Sequence, residues 1–572
     1  MTNINFFDKI RREDKRDVME NKIMVNFRDI VNKEFPAGTT LYEISKSFSS
    51  YFNHAILIGI VDNNLMDLTE KINQDCRVDF YDRSHHYGNS VYARSAIFML
   101  IVAVRNVLGE EAETTIEHSI DRGVYCEIKG TPIDEETIKK IEQAMFELHQ
   151  KELSFTKVNV SRYDASRYFY SKKQIDKVKV LKYISNSYIN LYRLDDYYDY
   201  FYGEMAYSTA EINDFKLTYI KSSGFVLSYP DTENPEVTLD YHHHPMLYQA
   251  FLDYTEWGRR LKITNAADLN KRTTTGKYDD LIRLSEANFN SHLSQIANRI
   301  KNSKNKIKLV LIAGPTSSGK TTTSKKLEVY LQSYGINTHQ ISLDNYFKDR
   351  TCTPKDNNGE YDFEALEALD VDLFNKHLTK LLAGEKVLLP EYNFISGERE
   401  YRQRQLQMDK SDVIVIEGIH GLNEELTMSV ERKNKFKIYL APLTQLNIDN
   451  HNRIHTTDTR KLRRIVRDNK FRNYTASDTL KMWAAIRRGE TKNIYPYQDE
   501  ADVVLNSALV YEIAALKVYV EPLLFSVKET DPMYPEALRL INFLRNFLPI
   551  PSDTIPQDSV LREFIGGSAF RE

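Results

Sequence analysis

The feature that most constrains this 572-residue chain is a short glycine-rich motif at residues 314–321. The motif, GPTSSGKT, fits the pattern G-x-x-x-x-G-K-[ST] and lies between an apolar run at 307–313 and a helix-forming stretch. Glycines let successive backbone N–H groups point at phosphate oxygens, and the following helix N-terminus adds a partial positive charge. The motif therefore predicts a nucleoside triphosphate site in an α/β domain.

This phosphate loop, residues 314–322, predicts both ATP and Mg²⁺ as cofactors. Lys320 is expected to bridge the β- and γ-phosphates, and the Thr321 hydroxyl is expected to ligate Mg²⁺. Later apolar runs at 338–343, 413–416, 436–440 and 503–505 alternate with helical patterns, which predicts a parallel sheet covered on both faces. The predicted ATP contacts are Gly314, Pro315, Thr316, Ser317, Ser318, Gly319, Lys320, Thr321 and Thr322.

Two carboxylates follow strands of this predicted sheet. Asp344 ends the second strand, and Glu417 follows the third. Because ligands bind at the carboxyl ends of parallel strands, we expect both acids near the phosphate loop. Asp344 is expected to accept the proton of an attacking hydroxyl or to help place Mg²⁺, and Glu417 to bind the metal directly or through water.

A basic run between residues 453 and 472 supplies candidate phosphate-binding arginines. Guanidinium groups stabilise the charge of a transferring phosphoryl group, so the run predicts a mobile lid that closes on ATP. We expect roughly half of these arginines to lie on a solvated helix face instead. The arginines are Arg453, Arg460, Arg463, Arg464, Arg467 and Arg472.

With these elements in order, residues 300–525 resemble the uridine kinase branch of the uridine kinase/phosphoribulokinase family. The similar segments are 344–347, 361–364, 390–394, 417–419 and 463–468, which read DNYF, YDFE, PEYNF, EGI and RRIVRD. The resemblance implies an ATP-dependent kinase that phosphorylates the 5′-hydroxyl of a pyrimidine nucleoside, uridine or cytidine. The implied catalytic residues are Asp344, Lys320, Arg467 and Arg472, and the implied metal ligands are Thr321, Glu417 and Asp344. The implied substrate contacts are Asp344, Phe347, Glu364, Tyr392, Phe394 and Arg464.

Four positions depart from the pattern of that family. Gly397 falls where a histidine contacts the uracil edge, and Tyr474 falls where the last lid arginine stands. Phe347 replaces a tyrosine, and Glu364 is one methylene longer than the usual aspartate. Because a lost polar contact to the base relaxes discrimination, the acceptor stays open between a pyrimidine nucleoside and another small sugar or metabolite alcohol.

The N-terminal half resembles the front of threonyl-tRNA synthetases. Residues 22–84 resemble the ubiquitin-like TGS domain, and residues 85–225 resemble the editing domain, with anchors IDRGVY at 120–125 and DFKL at 214–217. The editing pocket of that family uses histidines and a cysteine, whereas the matching positions here are Arg94, Phe98, Phe201 and Met205. We therefore expect an editing-like domain without hydrolytic activity and without metal. The run His242-His243-His244 is expected to be an exposed loop.

The predicted organisation is multidomain, with an α/β P-loop kinase after two α+β domains. The expected segments are an N-terminal extension at 1–21, a TGS-like domain at 22–84, a degenerate editing-like domain at 85–225, a connecting segment at 226–300, a P-loop uridine-kinase-like domain at 301–528 and a C-terminal tail at 529–572. Within the connecting segment, residues 226–285 are expected to be loop-rich, with a helix at about 278–300.

Composition limits the classes of partner that this chain is expected to bind. The net charge of −4 and pI of about 6.4 argue against a dedicated duplex nucleic-acid binder. Cys76, Cys126 and Cys352 give no disulfide framework, and the apolar run at 95–104 is too short to span a bilayer. We expect a cytoplasmic homo-oligomer with a small nucleoside substrate and no membrane partner. An RNA- or ribosome-associated regulator that uses ATP as a switch is the less favoured alternative.

Overall fold

The computed structural model describes residues 22–220, 224–355, 359, 361–393, 396–444 and 446–570. Two α+β domains come first, then a helical connecting segment, then an α/β domain around a parallel sheet. The fold classes predicted for both halves are therefore confirmed. The residue numbers given above for the domain boundaries stay predictions.

The first domain is a small sheet with one short helix. Its elements are β1 Lys22–Phe27, β2 Val31–Pro36, β3 Thr39–Thr40, α1 Leu41–Lys46, β4 Ile56–Val61, β5 Asn64–Met66, β6 Lys71–Ile72 and β7 Cys76–Asp82. Five strands form one sheet in the order β2-β1-β7-β4-β5. Helix α1 begins with a capping box, in which the Thr40 hydroxyl accepts the N–H of Glu43 and the Glu43 carboxylate accepts the N–H of Thr40.

The second domain surrounds one long buried helix. Its elements are α2 His86–Leu108, β8 Glu113–Ile120, β9 Gly123–Lys129, α3 Glu135–Gln150, β10 Thr156–Ser161, α4 Arg162–Ser171, α5 Ile175–Leu181, β11 Tyr188–Leu194, β12 Tyr197–Asp199, β13 Lys216–Tyr219 and β14 Gly224–Ser228. Two sheets form, β13-β14-β9-β8 and β10-β11-β12. Asp134 caps α3, because its carboxylate accepts the N–H of Thr137.

Helix α2 is the core helix of this domain. It is long and apolar enough to cross a membrane by length and composition alone. However, 67% of its most apolar window is buried inside the protein. The helix is longer than the apolar run at 95–104 because it begins nine residues earlier, at His86.

The connecting segment is helical, so the expectation of a loop-rich stretch at 226–285 was wrong. Its helices are α6 Pro245–Leu261, α7 Ala266–Thr274 and α8 Tyr278–Lys301. Pro245 occupies the first helical position of α6, where proline has no hydrogen bond to lose. The Asn265 side chain caps α7 by accepting the N–H of Asp268. Proline and asparagine are both common in loops, but Pro245 and Asn265 stand at the starts of helices.

The C-terminal domain is a five-stranded parallel sheet with helices on both faces. Its main elements are β15 Leu309–Ala313, α9 Lys320–Ser333, β16 Thr338–Ser342, α10 Val371–Leu382, β21 Val413–Glu417, β22 Lys435–Ala441, α11 Thr456–Arg472, α12 Ala476–Lys481, α13 Trp483–Asn493, β23 Val503–Asn506 and α14 Glu512–Phe525. Two short hairpin pairings lie between α10 and β21, and their strands are β17 Val387–Leu388, β18 Glu391–Asn393, β19 Glu398–Glu400 and β20 Gln405–Leu406. The sheet order is β16-β21-β15-β22-β23. The strands predicted from the apolar runs are confirmed.

The C-terminal tail is folded onto this domain. It contains α15 Tyr534–Leu544 and α16 Arg562–Ile565. Val560 and Phe564 are fully buried and belong to the same apolar core as Val310 and Ile312 of the central strand. The tail is therefore part of the packed structure of the C-terminal half rather than an appendage to it.

His244 does not lie in an exposed loop, which corrects the expectation for residues 242–244. It is 8% exposed and links two domains, because Nδ1 lies 2.7 Å from Asp499 Oδ2 and Nε2 lies 3.7 Å from Asp121 Oδ1. His242 and Asp499 are exposed, and together with His244 they bring three potential metal-binding atoms within 4.8 Å of one another. The nearby Asp121 carboxylate raises the pKa of His244, burial opposes this rise, and the Asp499 carboxylate adds to it.

Substituting His244 should destabilise the protein in a pH-dependent way. A raised folded-state pKa means that the protonated ring stabilises the fold fully below the unfolded-state pKa, near 6.5, and that this gain is lost as pH rises through the folded pKa. We expect His244→Gln to lower the free energy of unfolding by about 1 kcal/mol at pH 5.5 and by much less at pH 9. Thermal unfolding at both pH values measures this, with His243→Gln as the neighbouring control. An equal deficit at both pH values would contradict the ionic link.

Candidate active site

The phosphate loop connects β15 to α9 in a conformation that only its small residues allow. Ser317 and Gly319 take φ values of +58° and +88°. A Cβ on Gly314 would lie 1.9 Å from the Leu440 carbonyl oxygen, so a side chain there would collide with the neighbouring strand. The two motif glycines are therefore required, one by close approach and one by its backbone angle.

Lys320 lies inside this loop. Its Nζ donates to the carbonyl oxygens of Gly314 and Pro315, at 2.9 and 3.2 Å. Three candidate acids, Asp344, Glu364 and Glu417, have raised pKa values, and the positive charge of Lys320 opposes the rise in each of them. The structure therefore brings together the lysine and the acids that the sequence singled out.

Asp344 and Glu417 come from neighbouring strands. Glu417 is the last residue of β21 and pairs in register with Ser342, the last residue of β16. The Ser342 hydroxyl donates to Glu417 Oε1 at 2.9 Å. Asp344 follows two residues later, in the short 3₁₀ turn Leu343–Tyr346. Both carboxylates thus stand at the carboxyl edge of the parallel sheet, beside the loop that ends β15.

The surroundings of these acids favour their protonated forms. Asp344 opens onto the cleft, yet burial by the cleft walls raises its pKa, against the positive charges of Lys320, Arg472 and Arg467. Burial and the Asp344 carboxylate raise the pKa of Glu417 to about 7. An acid with a raised pKa is a better proton acceptor, which suits Asp344 to general-base chemistry.

The oxygen ligands here fit a magnesium ion. Thr321 offers a hydroxyl, and Asp344 and Glu417 offer carboxylates, which is the all-oxygen set that Mg²⁺ prefers. The mutual repulsion of the two carboxylates, recorded in the raised pKa of Glu417, is what a divalent cation relieves. Thr321, Glu417 and Asp344 therefore have the donor chemistry to hold the ion, while their roles as metal ligands stay predictions.

Helix α11 lies along the phosphate loop, and its arginines contact it directly. Arg460 Nε donates to the Thr316 carbonyl, and Arg463 donates to the Ser317 carbonyl at 3.2 Å. Arg464 donates to the Thr316 hydroxyl at 2.7 Å. Arg460 and Arg463 are almost fully buried, so they do not belong to a solvated face.

The last turns of α11 face the acids. Arg467 pairs with Asp468 at 2.8 Å, and both Arg467 and Arg472 lower the pKa of Asp344 by their charge. Arg472 is exposed. Arg464 acts on Glu364, whose pKa is raised to about 7 by burial and by the Glu490 carboxylate. The positions of these arginines agree with a phosphate-side and a substrate-side set, while their catalytic roles stay predictions.

Two buried acids that the sequence did not single out hold α11 against the loop. Glu490 of α13 accepts the backbone N–H of Thr316 at 3.1 Å and pairs with Arg460. Glu512 of α14 pairs with Arg463, and both partners are fully buried. Neither acid follows an apolar strand or lies in a motif, so no local pattern marks them.

Aromatic rings pack around Phe347 in the apolar core that also contains Leu309 and Ile416 of the parallel sheet. The ring centroids of Phe347 and Tyr392 lie 5.5 Å apart, and those of Phe347 and Phe363 lie 6.1 Å apart. Gly397 takes a φ of +77°, and the Arg350 side chain lies against it, 2.8 Å from where a Cβ would stand. A side chain at position 397 would displace Arg350. Phe394 lies outside the described residues.

The C-terminal tail contacts the same loop. Glu563 Oε2 accepts the backbone N–H of Thr322 at 3.0 Å, in the first turn of α9. Val560 Cγ1 lies 2.4 Å from where a Cβ on Gly319 would stand, and Asp558 pairs with Lys326 at 2.8 Å. A carboxylate on a first-turn amide behind a phosphate loop takes an anion-binding position. The tail therefore fills space and uses a donor that a bound nucleotide needs.

The fold and this site define a P-loop nucleotide-binding protein. Residues 309–514 match the model of the phosphoribulokinase/uridine kinase family, so this part of the chain is similar to that family. Proteins of the family are phosphotransferases. The predicted resemblance of the C-terminal half is therefore confirmed.

The relatives fall into two groups. A uridine kinase from Brevibacillus brevis is 29% identical over 198 residues, which cover 34% of this chain and 83% of that protein. A threonine–tRNA ligase from Francisella philomiragia is 30% identical over 198 residues, covering 34% of this chain and 31% of the ligase, and such ligases match the N-terminal part. The chain thus spans about a third of the length of the ligases it matches.

Among solved structures, that of a possible uridine kinase from Bacillus stearothermophilus is 20% identical. It covers 38% of this chain and 98% of its own, with a TM-score of 0.26.

Removing the Glu563 carboxylate should strengthen nucleotide binding. Glu563→Gln replaces an anionic acceptor on the Thr322 amide with a neutral one, so a phosphate competes for that amide more easily. We expect the Kd for MgATP to fall by about fivefold, measured by titration calorimetry. Asp553→Asn, an exposed acid of the same tail, is the control. Unchanged or weaker ATP binding would show that the tail does not compete with nucleotide.

Proposed function

We propose that this protein is an ATP-dependent kinase that transfers the γ-phosphate of ATP to the 5′-hydroxyl of a pyrimidine nucleoside. The observation that carries the proposal is the cluster of Lys320, Asp344 and Glu417 at one sheet edge, beside a complete phosphate loop. The similarity of residues 309–514 to the phosphoribulokinase/uridine kinase family supports the reaction type, and the Brevibacillus uridine kinase supports the acceptor class.

In this mechanism Asp344 accepts the proton of the acceptor hydroxyl while the hydroxyl oxygen bonds to the γ-phosphorus. The bond from that phosphorus to the β–γ bridging oxygen breaks, and ADP leaves. Lys320 and the α11 arginines Arg467 and Arg472 stabilise the negative charge on the transferring group. Mg²⁺ held by Thr321, Glu417 and Asp344 would neutralise charge on the phosphate oxygens.

On the acceptor side, Glu364 offers a carboxylate for ribose hydroxyls. Phe347 and Tyr392, which the resemblance places against the base, are only 9% and 5% exposed, so little of either ring is open to a nucleobase. A second acceptor class is favoured by one observation. Gly397 presents no polar side chain for the edge of a base, and Arg350 fills the adjoining space. A small sugar or metabolite alcohol with an anionic group is therefore the alternative acceptor. We further propose that the protein acts in the cytoplasm.

Turnover with a panel of acceptors tests the proposal. Purified protein with MgATP should phosphorylate uridine or cytidine, and Asp344→Asn should reduce kcat by about 10²–10⁴-fold while ATP still binds, since only the proton acceptor is lost. Asp372→Asn, an exposed acid on α10 in the same domain, is the control. Turnover only with sugar alcohols would show that the acceptor is a sugar alcohol rather than a pyrimidine nucleoside. ATP binding without turnover on any acceptor would refute the kinase and favour an ATP-dependent regulator.

Neutralising Glu364 should weaken binding of the acceptor and leave binding of ATP unchanged. Glu364→Gln keeps the shape but removes the charged acceptor for hydroxyl donors, which is worth about a tenfold to hundredfold rise in KM for a nucleoside. Steady-state kinetics with 2′-deoxy- and 3′-deoxyuridine shows which hydroxyl is read, because the variant should lose the difference between that analogue and uridine. An equal rise in the KM for ATP would place Glu364 on the phosphate side instead.

A further inference from the structure

A second cavity lies far from the acids of the active site, between the second domain and the kinase half. Its volume is about 550 Å³. One wall comes from α2 and from the loop that follows β12, including Arg94 and Phe201. The opposite wall comes from residues 448–455 and from α15, including Arg453 and Arg539. Cavities of roughly 300–1,000 Å³ with mixed apolar and polar lining are typical of sites for small molecules.

The cavity is lined by three arginines, Arg94, Arg453 and Arg539, and by two acids, Glu204 and Asp458. In the described part of the chain, no carboxylate lies within 4 Å of the guanidinium of Arg94 or Arg453. Arg94 donates to the backbone carbonyl of Glu204 and not to its carboxylate. Asp458, the other acid in the lining, is held by Arg539 through two hydrogen bonds of 2.7 and 2.9 Å. Arg453 therefore has no carboxylate within ion-pair distance in the described residues, and the Glu204 carboxylate opposes the charge of Arg94 without a direct ion pair.

The titration of His455, which is open to the cavity, reports the same excess charge. The positive charge of Arg453 lowers its pKa well below the usual range, and burial lowers it further. Arg539 and Arg94 add to the effect, against the Asp458 carboxylate. Glu204 balances this field only in part, because burial and the Asp67 carboxylate raise its own pKa, against the positive charge of Arg94.

The N-terminus of α11 opens into the same cavity. The helix begins at Thr456, and the His455 side chain makes no capping hydrogen bond to it. First-turn N–H groups without a cap attract anions, and the helix dipole adds to the attraction. The guanidinium pair and this helix end are separate features of the sequence, and they converge on one space.

We propose that this interdomain cavity binds a small anionic metabolite, through a carboxylate or phosphate group held by Arg94 and Arg453 at the N-terminus of α11. The apolar lining from Ile97, Phe201 and Leu538 would receive the rest of the ligand.

Helix α11 also connects the cavity to the phosphate loop. Arg460 and Arg464 lie one and two turns along α11, within about 12 Å of its start, and both contact Thr316. A ligand that shifts or stiffens the first turn of α11 would therefore change how the loop is held. This coupling rests on the proposed kinase function, whereas ligand binding itself does not.

Calorimetry and thermal shift on the full-length protein test the proposal with two sets of probes. Inorganic phosphate, glycerol 3-phosphate and AMP form the phosphate set, and acetate, succinate and L-alanine form the carboxylate set. Because phosphates also bind the phosphate loop, each titration is repeated with Lys320→Ala. We expect at least one probe to bind with a Kd unaffected by Lys320→Ala and weakened at least about tenfold by Arg94→Gln or Arg453→Gln. The set to which that probe belongs identifies the anionic group.

Three comparisons keep the result interpretable. Arg94→Lys retains the charge and should restore part of the binding, and Arg105→Gln changes an arginine of α2 that does not line the cavity and should have no effect. Near-ultraviolet circular dichroism confirms that each variant is folded. Hydrogen exchange at residues 456–459 should slow on binding, whether or not the protein is a kinase. Binding lost only in Lys320→Ala, or no binding by any probe at 10 mM, would overturn the proposal.

Discussion

The buried ion pairs between α11 and its neighbours are the interaction on which the active site depends. Arg463 and Glu512 are both fully buried, and Arg460 pairs with the equally buried Glu490. Removing one partner of such a pair costs about 3–5 kcal/mol, because the other charge is left unpaired in a low-dielectric interior. Each arginine is therefore fixed by its acid, and its remaining donors are fixed on the carbonyl groups of the phosphate loop. The loop conformation is therefore held partly from outside, by these arginines, and partly from within, by Lys320 on the Gly314 and Pro315 carbonyl groups.

The same principle ties the N-terminal half to the kinase half. Lys177 of the second domain is fully buried between Asp199 and Asp449, at 2.7 and 3.1 Å. Asp449 lies in the segment that leads into α11, and His451 of that segment pairs with Asp199. A lysine buried this completely needs both acids, so separating the domains would expose or strand three charges. The second domain therefore helps to fix the position of α11.

Local chemistry explains which parts of this arrangement the sequence could reveal. The phosphate loop, the strands and the capped helix α1 depend on residues within a few positions of one another, and all were predictable. Glu490 and Glu563 reach the loop from 174 and 241 residues away, so no periodicity or spacing could mark them. The helices at 245–274 were missed because Pro245 and Asn265 favour loops unless they start a helix.

The residues that replace the editing-pocket ligands in the second domain have a physical explanation. Where the resemblance implies metal-type ligands, Phe98 and Phe201 pack together with ring centroids 5.0 Å apart, and Arg94 enters the cavity beside them. Apolar rings cannot polarise water for hydrolysis, but a guanidinium beside them can hold an anion. Helix α11 then touches an anion-binding cavity at its start, the phosphate loop at its middle and the Asp344 carboxylate through its last turns. Because a helix in a close-packed interior moves as a rigid body, no further network is required to connect the two sites.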